Sequence, residues 1–250
     1  MAFIPQKTKH WYSTWWGMVV LAASVLIAAA IMAFGLLIFS YWQEVKSGNT
    51  EYFRQKFYQQ AQETVDPAVT VMREVLETTD DPYLGNVSAQ NVIVEFIDHK
   101  CPICKVQTSV MQQVAAKYGY AIKIITRDFP MESVHEGTTQ YAAIASCAHE
   151  QGGYSLVSNL FFSNQDILPT ELSSDEIGNM SDSFGLDKAK MLECVNSGRG
   201  RTEVMKDYSD AVEAGLTKGT PTYFVNGYML EGAVPFDTWE ELFQKMGLAN

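Results

Sequence analysis

Between Trp11 and Gln43 the chain carries no charged side chain, and Gly17–Ser40 within that stretch is almost wholly apolar. Those 24 residues make a helix of about 36 Å, enough to cross a hydrocarbon core of roughly 30 Å with some tilt. A buried core helix is one alternative, and it is disfavoured because nothing in the run supplies a polar face. Trp11, Tyr12, Trp15 and Trp16 stand at one end and Tyr41 and Trp42 at the other, as aromatic belts do at the two membrane interfaces. Lys7 and Lys9 precede the run without an acid beside them, whereas Glu44, Lys46, Glu51 and Arg54 follow it with mixed sign. The positive-inside rule then puts the N-terminus in the cytoplasm and the rest outside. A cleaved signal peptide is the competing reading, but its apolar region is usually about 7–15 residues. An uncleaved single-pass anchor is the expectation.

Composition has to be read on either side of that anchor. The 250 residues hold 18 Lys+Arg and 29 Asp+Glu, a formal net charge of −11. No acid occurs before Glu44, so residues 44–250 hold all 29 acids and 16 of the bases, a net −13. That balance argues against nucleic acid as a partner, because phosphate binding needs clustered Lys and Arg. With 47% hydrophobic residues the chain fills a sizeable core and is not intrinsically disordered. Its length suits one domain with an appendage.

The reading divides the chain into a cytoplasmic N-terminus (1–16), a transmembrane helix (17–41), a stalk of linker helices (42–82) and a domain (83–250). In the stalk, Thr50 caps a helix to about Thr64, and Asp66-Pro67 opens another with a stripe of Val71, Met72, Val75 and Leu76. These stripes either pack on the domain or associate with another copy through residues 50–78. Asn91–Asp98 reads as a buried strand and Ala121–Thr126 as a second, ended by Arg127-Asp128-Phe129-Pro130. Helical stretches follow at 136–151, 156–164, after the capping box Ser173/Glu176, and at 186–196 and 202–215. Thr222–Val225 and Tyr228–Glu231 form a hairpin about Asn226-Gly227. A last helix runs from Phe236 to about Met246. Strand, helix, strand, a block of helices, then hairpin and helix suggest an α/β sheet with a helical insertion at about 136–215.

The chemistry lies in Cys101-Pro102-Ile103-Cys104. The motif stands where a buried strand passes into a helix, and there free N–H groups and the helix dipole stabilise a thiolate on the first cysteine. The three-residue offset brings Cys104 back to Cys101 within one turn. A four-ligand zinc site would need Cys147 and Cys194, far off and unpaired in sequence. Redox chemistry is the favoured reading, with metal binding and an inert structural disulfide beside it. Glu95, six residues before Cys101, is a carboxylate in an otherwise apolar strand, which costs energy unless paired or functional. It is either a proton carrier or an edge-facing surface acid. His99 either adds to thiolate stabilisation when protonated or, the favoured reading, is a solvated loop residue.

VIVEFIDHKCPICK, with GTPTYFVNG more than a hundred residues later, resembles the DsbA-like members of the thioredoxin superfamily over roughly Asp81 to the C-terminus. The resemblance implies a thioredoxin fold with an inserted helical subdomain. It implies an exposed nucleophile at Cys101, a buried resolving thiol at Cys104, and proton transfer to Cys104 by Glu95. Thr220-Pro221 matches the loop whose proline is cis, holding a backbone edge on which an extended substrate adds as a strand. Cys147 and Cys194, both in the insertion, are a second disulfide by the same likeness, or two buried free thiols. The dipeptide between the cysteines is Pro102-Ile103, where the best-known relatives have Pro-His, so the pair is expected to be less oxidising.

The expected protein is therefore a thiol–disulfide oxidoreductase anchored in a bacterial inner membrane, its domain in the periplasm. It needs no cofactor besides its cysteine pair. It acts on unfolded or partly folded thiol proteins and is reoxidised by a DsbB-type or quinone-linked membrane partner. A reductase or isomerase of the same fold, or a non-catalytic anchored binding module, are the alternatives.

Overall fold

The computed structural model describes residues 15–46 and 67–248. The chain divides into two units, residues 1–51 and 52–250.

The described part of the first unit is one helix, α1 (Trp15–Lys46, 32 residues). Within it Met18–Phe39, 22 residues of mean hydropathy 2.6, is long and apolar enough to cross a membrane. Ser24 is the one polar side chain of that span. Its hydroxyl donates to the carbonyl of Val20 at 2.8 Å, so the helix satisfies it internally, as a lipid-facing segment requires.

The second unit opens with α2 (Pro67–Leu76). Leu76 is buried against the sheet, with Met72 and Val75 beside it, so this stripe packs on its own domain. The helix expected over Thr50–Thr64 lies outside the described residues. Five strands follow: β1 (Tyr83–Gly85), β2 (Asn91–Ile97), β3 (Ile122–Asp128), β4 (Thr222–Val225) and β5 (Tyr228–Glu231). They form one sheet in the order β1-β3-β2-β4-β5. Only β2 and β3 run parallel, because their link is the crossover helix α3 (Pro102–Tyr118) that a parallel pair demands. Asn226 (φ 50°) and Gly227 (φ 87°) close the β4–β5 hairpin in the left-handed region, as a two-residue turn between right-twisted strands requires.

Alternation along β2 sorts the core. Ile93 joins Met111 and Val114 of α3 and Trp239, Leu242 and Phe243 of α9 (Phe236–Lys245). Val92, Val94 and Phe96 face the other way, onto Ala211, Ala214 and Leu216. Glu95 and Ile97 therefore share the face that α3 covers, beneath the cysteines.

Between β3 and β4 lies the insertion: α4 (Thr138–His149), α5 (Tyr154–Ser163), a 3₁₀ turn (Gln165–Ile167), α6 (Ser174–Ser183), α7 (Lys188–Ser197) and α8 (Arg199–Glu213). It has its own core of Tyr141, Ile144, Val157, Phe161, Ile177 and Met191, and the structure joins Cys147 to Cys194 inside it. At α6 the capping box is made in both directions, Glu176 N–H donating to Ser173 Oγ and Ser173 N–H to Glu176 Oε2. Ser173→Ala is expected to cost about 1 kcal/mol and to lower the thermal midpoint by about 2–4 °C. An unchanged midpoint in calorimetry would mean that this end of α6 is not held by its cap.

Two elements differ from the sequence reading. β1 was not expected, since three residues show no alternation to read. β3 runs on through Arg127 and Asp128, because both side chains are buried at the joint with the insertion. The Arg127 guanidinium meets Asp81 at 3.2 Å, Asp207 at 2.6 Å and Asp210 at 2.6 Å, so the charge is paired where it is buried.

Candidate active site

The strand-to-helix turn is built by Asp98. Its carboxylate accepts from the Lys100 N–H at 2.7 Å, from the Met131 N–H at 2.9 Å and from the Thr138 hydroxyl, and His135 Nδ1 lies 2.9 Å away. Its carbonyl accepts from the Cys101 N–H at 3.0 Å. One side chain thus sets the turn and ties it to the segment after β3. Cys101 is the N-cap of α3, in extended conformation (φ −77°, ψ 120°), and Pro102 occupies the first helical position. Proline lacks the N–H that would go unpaired there.

Both cysteines are free thiols. The Cys101 thiol is brought down to about 6, chiefly because the Cys104 thiol donates to it. The N–H groups of Cys104 and Ile103 and the Thr220 hydroxyl add to this, and burial opposes it. Burial pushes the Cys104 thiol well up. The pair is therefore asymmetric: at neutral pH Cys101 is a thiolate and Cys104 holds the proton. The expectation of an exposed Cys101 is corrected. Cys101 is 5% exposed and Cys104 1%, and both belong to a small buried apolar cluster with Ile97 and Phe162 of the insertion. The Cys101 thiol also lies 3.5 Å from the carbonyl of Thr220, whose peptide bond to Pro221 is cis. Ile103 stands beside the pair, half exposed.

The insertion reaches the turn with one further side chain. Gln165 Nε2 donates to the carbonyls of His99 at 2.9 Å and of Cys101 at 3.0 Å. Sequence gave no pointer to it, because the contact joins a 3₁₀ turn to a strand end 66 residues away.

Glu95 is buried, which pushes its carboxyl up to about 7, and the Thr126 hydroxyl donating at 2.7 Å pulls the other way. Of the two sequence readings, the surface acid is thus replaced by an interior one. A cavity of about 230 Å³ joins Glu95 and Ile97 to Thr108 and Met111 of α3 and to Ser158 and Phe162 of α5. The carboxyl thus opens on a mixed pocket that includes Thr108, Gln112, Ser158 and Asn159 among apolar side chains.

His99 is not the solvated loop residue expected. It is fully buried, stacked on Phe162 at 5.2 Å between ring centres, with Nε2 3.2 Å from Ser158 Oγ. Burial takes its pKa down to about 4, so the ring is neutral and adds no charge to the thiolate. Its Nδ1 is 3.4 Å from Asp128 Oδ1, and burial holds the Asp128 carboxyl well above the usual range. Burial disfavours the charged form of both groups. The covering helix α5 comes from the distant insertion, which local sequence does not reveal.

The carboxylates of Asp81, Glu203 and Asp207 also lie within 4.8 Å of one another. The guanidinium of Arg127 sits against two of them, where a cation would otherwise be needed.

A family model described as thioredoxin matches residues 77–245. Among curated proteins the chain is 28% identical over 147 residues to the Na(+)/H(+) antiporter NhaA 3 of Salinispora tropica, covering 59% of this chain and 22% of that protein. It is 28% identical over 171 residues to the Na(+)/H(+) antiporter NhaA 1 of Mycobacterium sp. strain KMS, covering 68% and 27%. The chain spans about a quarter of the length of the curated relatives it matches. Among solved structures, α-DsbA1 of Wolbachia pipientis superposes with a TM-score of 0.60 at 18% identity, covering 70% of this chain and 94% of that one. The catalytic domain of Proteus mirabilis ScsC gives 0.58 at 19%, covering 73% and 98%. BdbD of Bacillus subtilis gives 0.55 at 22%, covering 66% and 92%. At these identities the structural likeness is one of fold.

Proposed function

The chain belongs to the thioredoxin family, and on that premise we propose that it is a membrane-anchored, extracytoplasmic protein thiol–disulfide oxidoreductase working through Cys101 and Cys104. The observation that carries this reading is the asymmetry of the pair, one thiol lowered to about 6 and its neighbour raised, beside the Thr220–Pro221 edge.

In the oxidised form a client thiolate attacks Cys101 Sγ. The Cys101–Cys104 bond breaks, and Cys104 leaves as a thiolate that takes up a proton, which Glu95, a buried acid on the face that α3 covers, supplies. A second client thiolate attacks the client sulfur of the mixed disulfide, releasing the Cys101 thiolate. Two electrons pass from the client to the cysteine pair, and a DsbB-type or quinone-linked membrane partner removes them. No cofactor besides the pair is required. In this reading the N-terminus lies in the cytoplasm of a bacterial inner membrane and the domain outside, since Lys7 and Lys9 precede the apolar span without an acid beside them, whereas Glu44, Lys46, Glu51 and Arg54 follow it with mixed sign. The antiport activity named for the curated relatives is not carried over, because the match spans about a quarter of them.

A lowered Cys101 pKa stabilises the dithiol and so favours the oxidant direction. Equilibrating the detergent-solubilised full chain with glutathione buffers is expected to give a potential above about −230 mV, short of the roughly −120 mV of the strongest oxidants. A value below about −270 mV, in the range of reducing thioredoxins, would replace the oxidase by a reductase. No exchange at all would leave a non-catalytic binding module.

A further inference from the structure

A second concave surface begins at Gly219, next to the Thr220 carbonyl that lies 3.5 Å from the Cys101 thiol. It is a groove of about 540 Å³ between the segment after β3 and helix α8, lined by Phe129, Met131, Arg201, Met205, Tyr208 and Gly219. Its floor is apolar: Phe129 and Tyr208 stack at 4.6 Å, and Met205 is 43% exposed. Met131 is common to the groove and the active-site edge. A Cβ on Gly219 would meet its sulfur at 2.7 Å, and that sulfur lies 3.9 Å from Thr220 Oγ1. The main-chain segment that lies against the Cys101 thiol therefore forms one rim of the groove.

The charges of the groove are unequal in reach. Glu132 is already held by the N–H of Gly137, the N–H of Thr139 and the Thr139 hydroxyl, at 2.5–2.9 Å. Arg201 is exposed, and none of its donors meets an acceptor among the described residues. In a domain of net −13 this is a local positive point beside a thioether- and aromatic-lined floor. Methionine adapts to varied apolar partners, and a free guanidinium is a fork for a carboxylate.

We infer that this groove seats the client residues flanking the attacked cysteine, and that it selects an extended client segment carrying a bulky apolar side chain and, next to it, an acidic one. The inference rests on the oxidoreductase reading. A segment added to the Thr220 edge runs off its end into the groove, its apolar side chain between Met131, Met205 and Tyr208 and its carboxylate on Arg201. No further redox step is involved: the groove changes which thiol arrives, not the electrons moved.

The test uses the oxidised full-length protein in detergent and four cysteine peptides, flanked by Leu-Asp, Leu-Lys, Ser-Asp or Ser-Lys. The rate of mixed-disulfide formation with each is divided by the same protein's rate with dithiothreitol. The Leu-Asp peptide is expected to exceed Leu-Lys by about fivefold, the scale of an exposed ion pair, and Ser-Asp by about tenfold from apolar burial. Arg201→Glu should reverse the Asp-over-Lys preference, and Met205→Ser should shrink the Leu-over-Ser preference to about threefold. Both sites are exposed, so neither variant threatens the core. Equal rates for the four peptides, or preferences untouched by the two variants, overturn the groove while leaving the redox reading in place. Failure to exchange with dithiothreitol as well overturns the oxidoreductase reading and the groove with it.

Discussion

Replacing Cys101 by serine is expected to lower thiol–disulfide exchange by at least about a thousandfold, since a hydroxyl at this position neither ionises near neutral pH nor forms the mixed disulfide. Cys104→Ser should behave differently. It keeps the nucleophile but lacks the thiol that resolves it, so a client stays trapped on Cys101 and shows as a slower band on a non-reducing gel. In the unaltered reduced protein, alkylation of Cys101 should reach half its maximal rate near pH 6, following the thiolate. Trapping on the Cys101→Ser chain, or a midpoint near the ordinary 9.0, would sink this division of roles. Both cysteines belong to one small buried apolar cluster with Ile97 and Phe162. Circular dichroism of each variant separates a lost nucleophile from a lost fold.

The second large effect belongs to Glu95. Burial raises its carboxyl from an ordinary 4.5 to about 7 in the folded chain. The sign follows from which form the fold prefers. A raised acid favours the protonated state, so its penalty is absent below the unfolded value, grows as pH rises between the two values, and is complete above the folded one. The shift corresponds to about 3 kcal/mol at 1.36 kcal/mol per pH unit. Glu95→Gln should therefore match the parent in urea unfolding at pH 4.5 and exceed its stability by about 3 kcal/mol at pH 8. The same variant should release reduced product more slowly, by about tenfold or more, as proton transfer at Cys104 loses its partner. A glutamine chain with the parent's pH slope would show that Glu95 does not ionise in this range. Stability gained with release unchanged would make the acid a structural residue only.

Much of this architecture was legible because it follows from local chemistry. The hairpin strands fall where Asn226-Gly227 puts them, and the Ser173 box marks the start of α6. Period-2 parity alone places Glu95 on the face under α3. The active-site turn carried a readable sign as well, since Asp98 two residues before Lys100 is an Asx-turn pattern. What escaped was set by contacts across long sequence intervals. His99 read as loop because the helix that buries it lies in the insertion. Arg127 read as a strand terminator because the Asp81, Asp207 and Asp210 carboxylates that allow its burial are more than 40 residues away. Thr126 and Gln165 are ordinary polar residues in sequence, and only the packing gives one a carboxyl and the other two carbonyls to hold. Charged or polar side chains at the joint between two subdomains are where pattern reading fails, since burial there is decided by a partner that the local window does not contain.

The shortness of the two outer strands bears on a hazard that comes with the proposed work. Unfolded chains carry extended segments with unsatisfied backbone groups, and any long bare sheet margin is a template on which they nucleate ordered aggregates. Here the margins are β1, three residues, and β5, four residues, each too brief to hold a stranger by main-chain pairing alone. A visitor is thus offered lasting purchase only next to the sulfur pair, where capture ends in a reaction and release rather than in growth of a fibre.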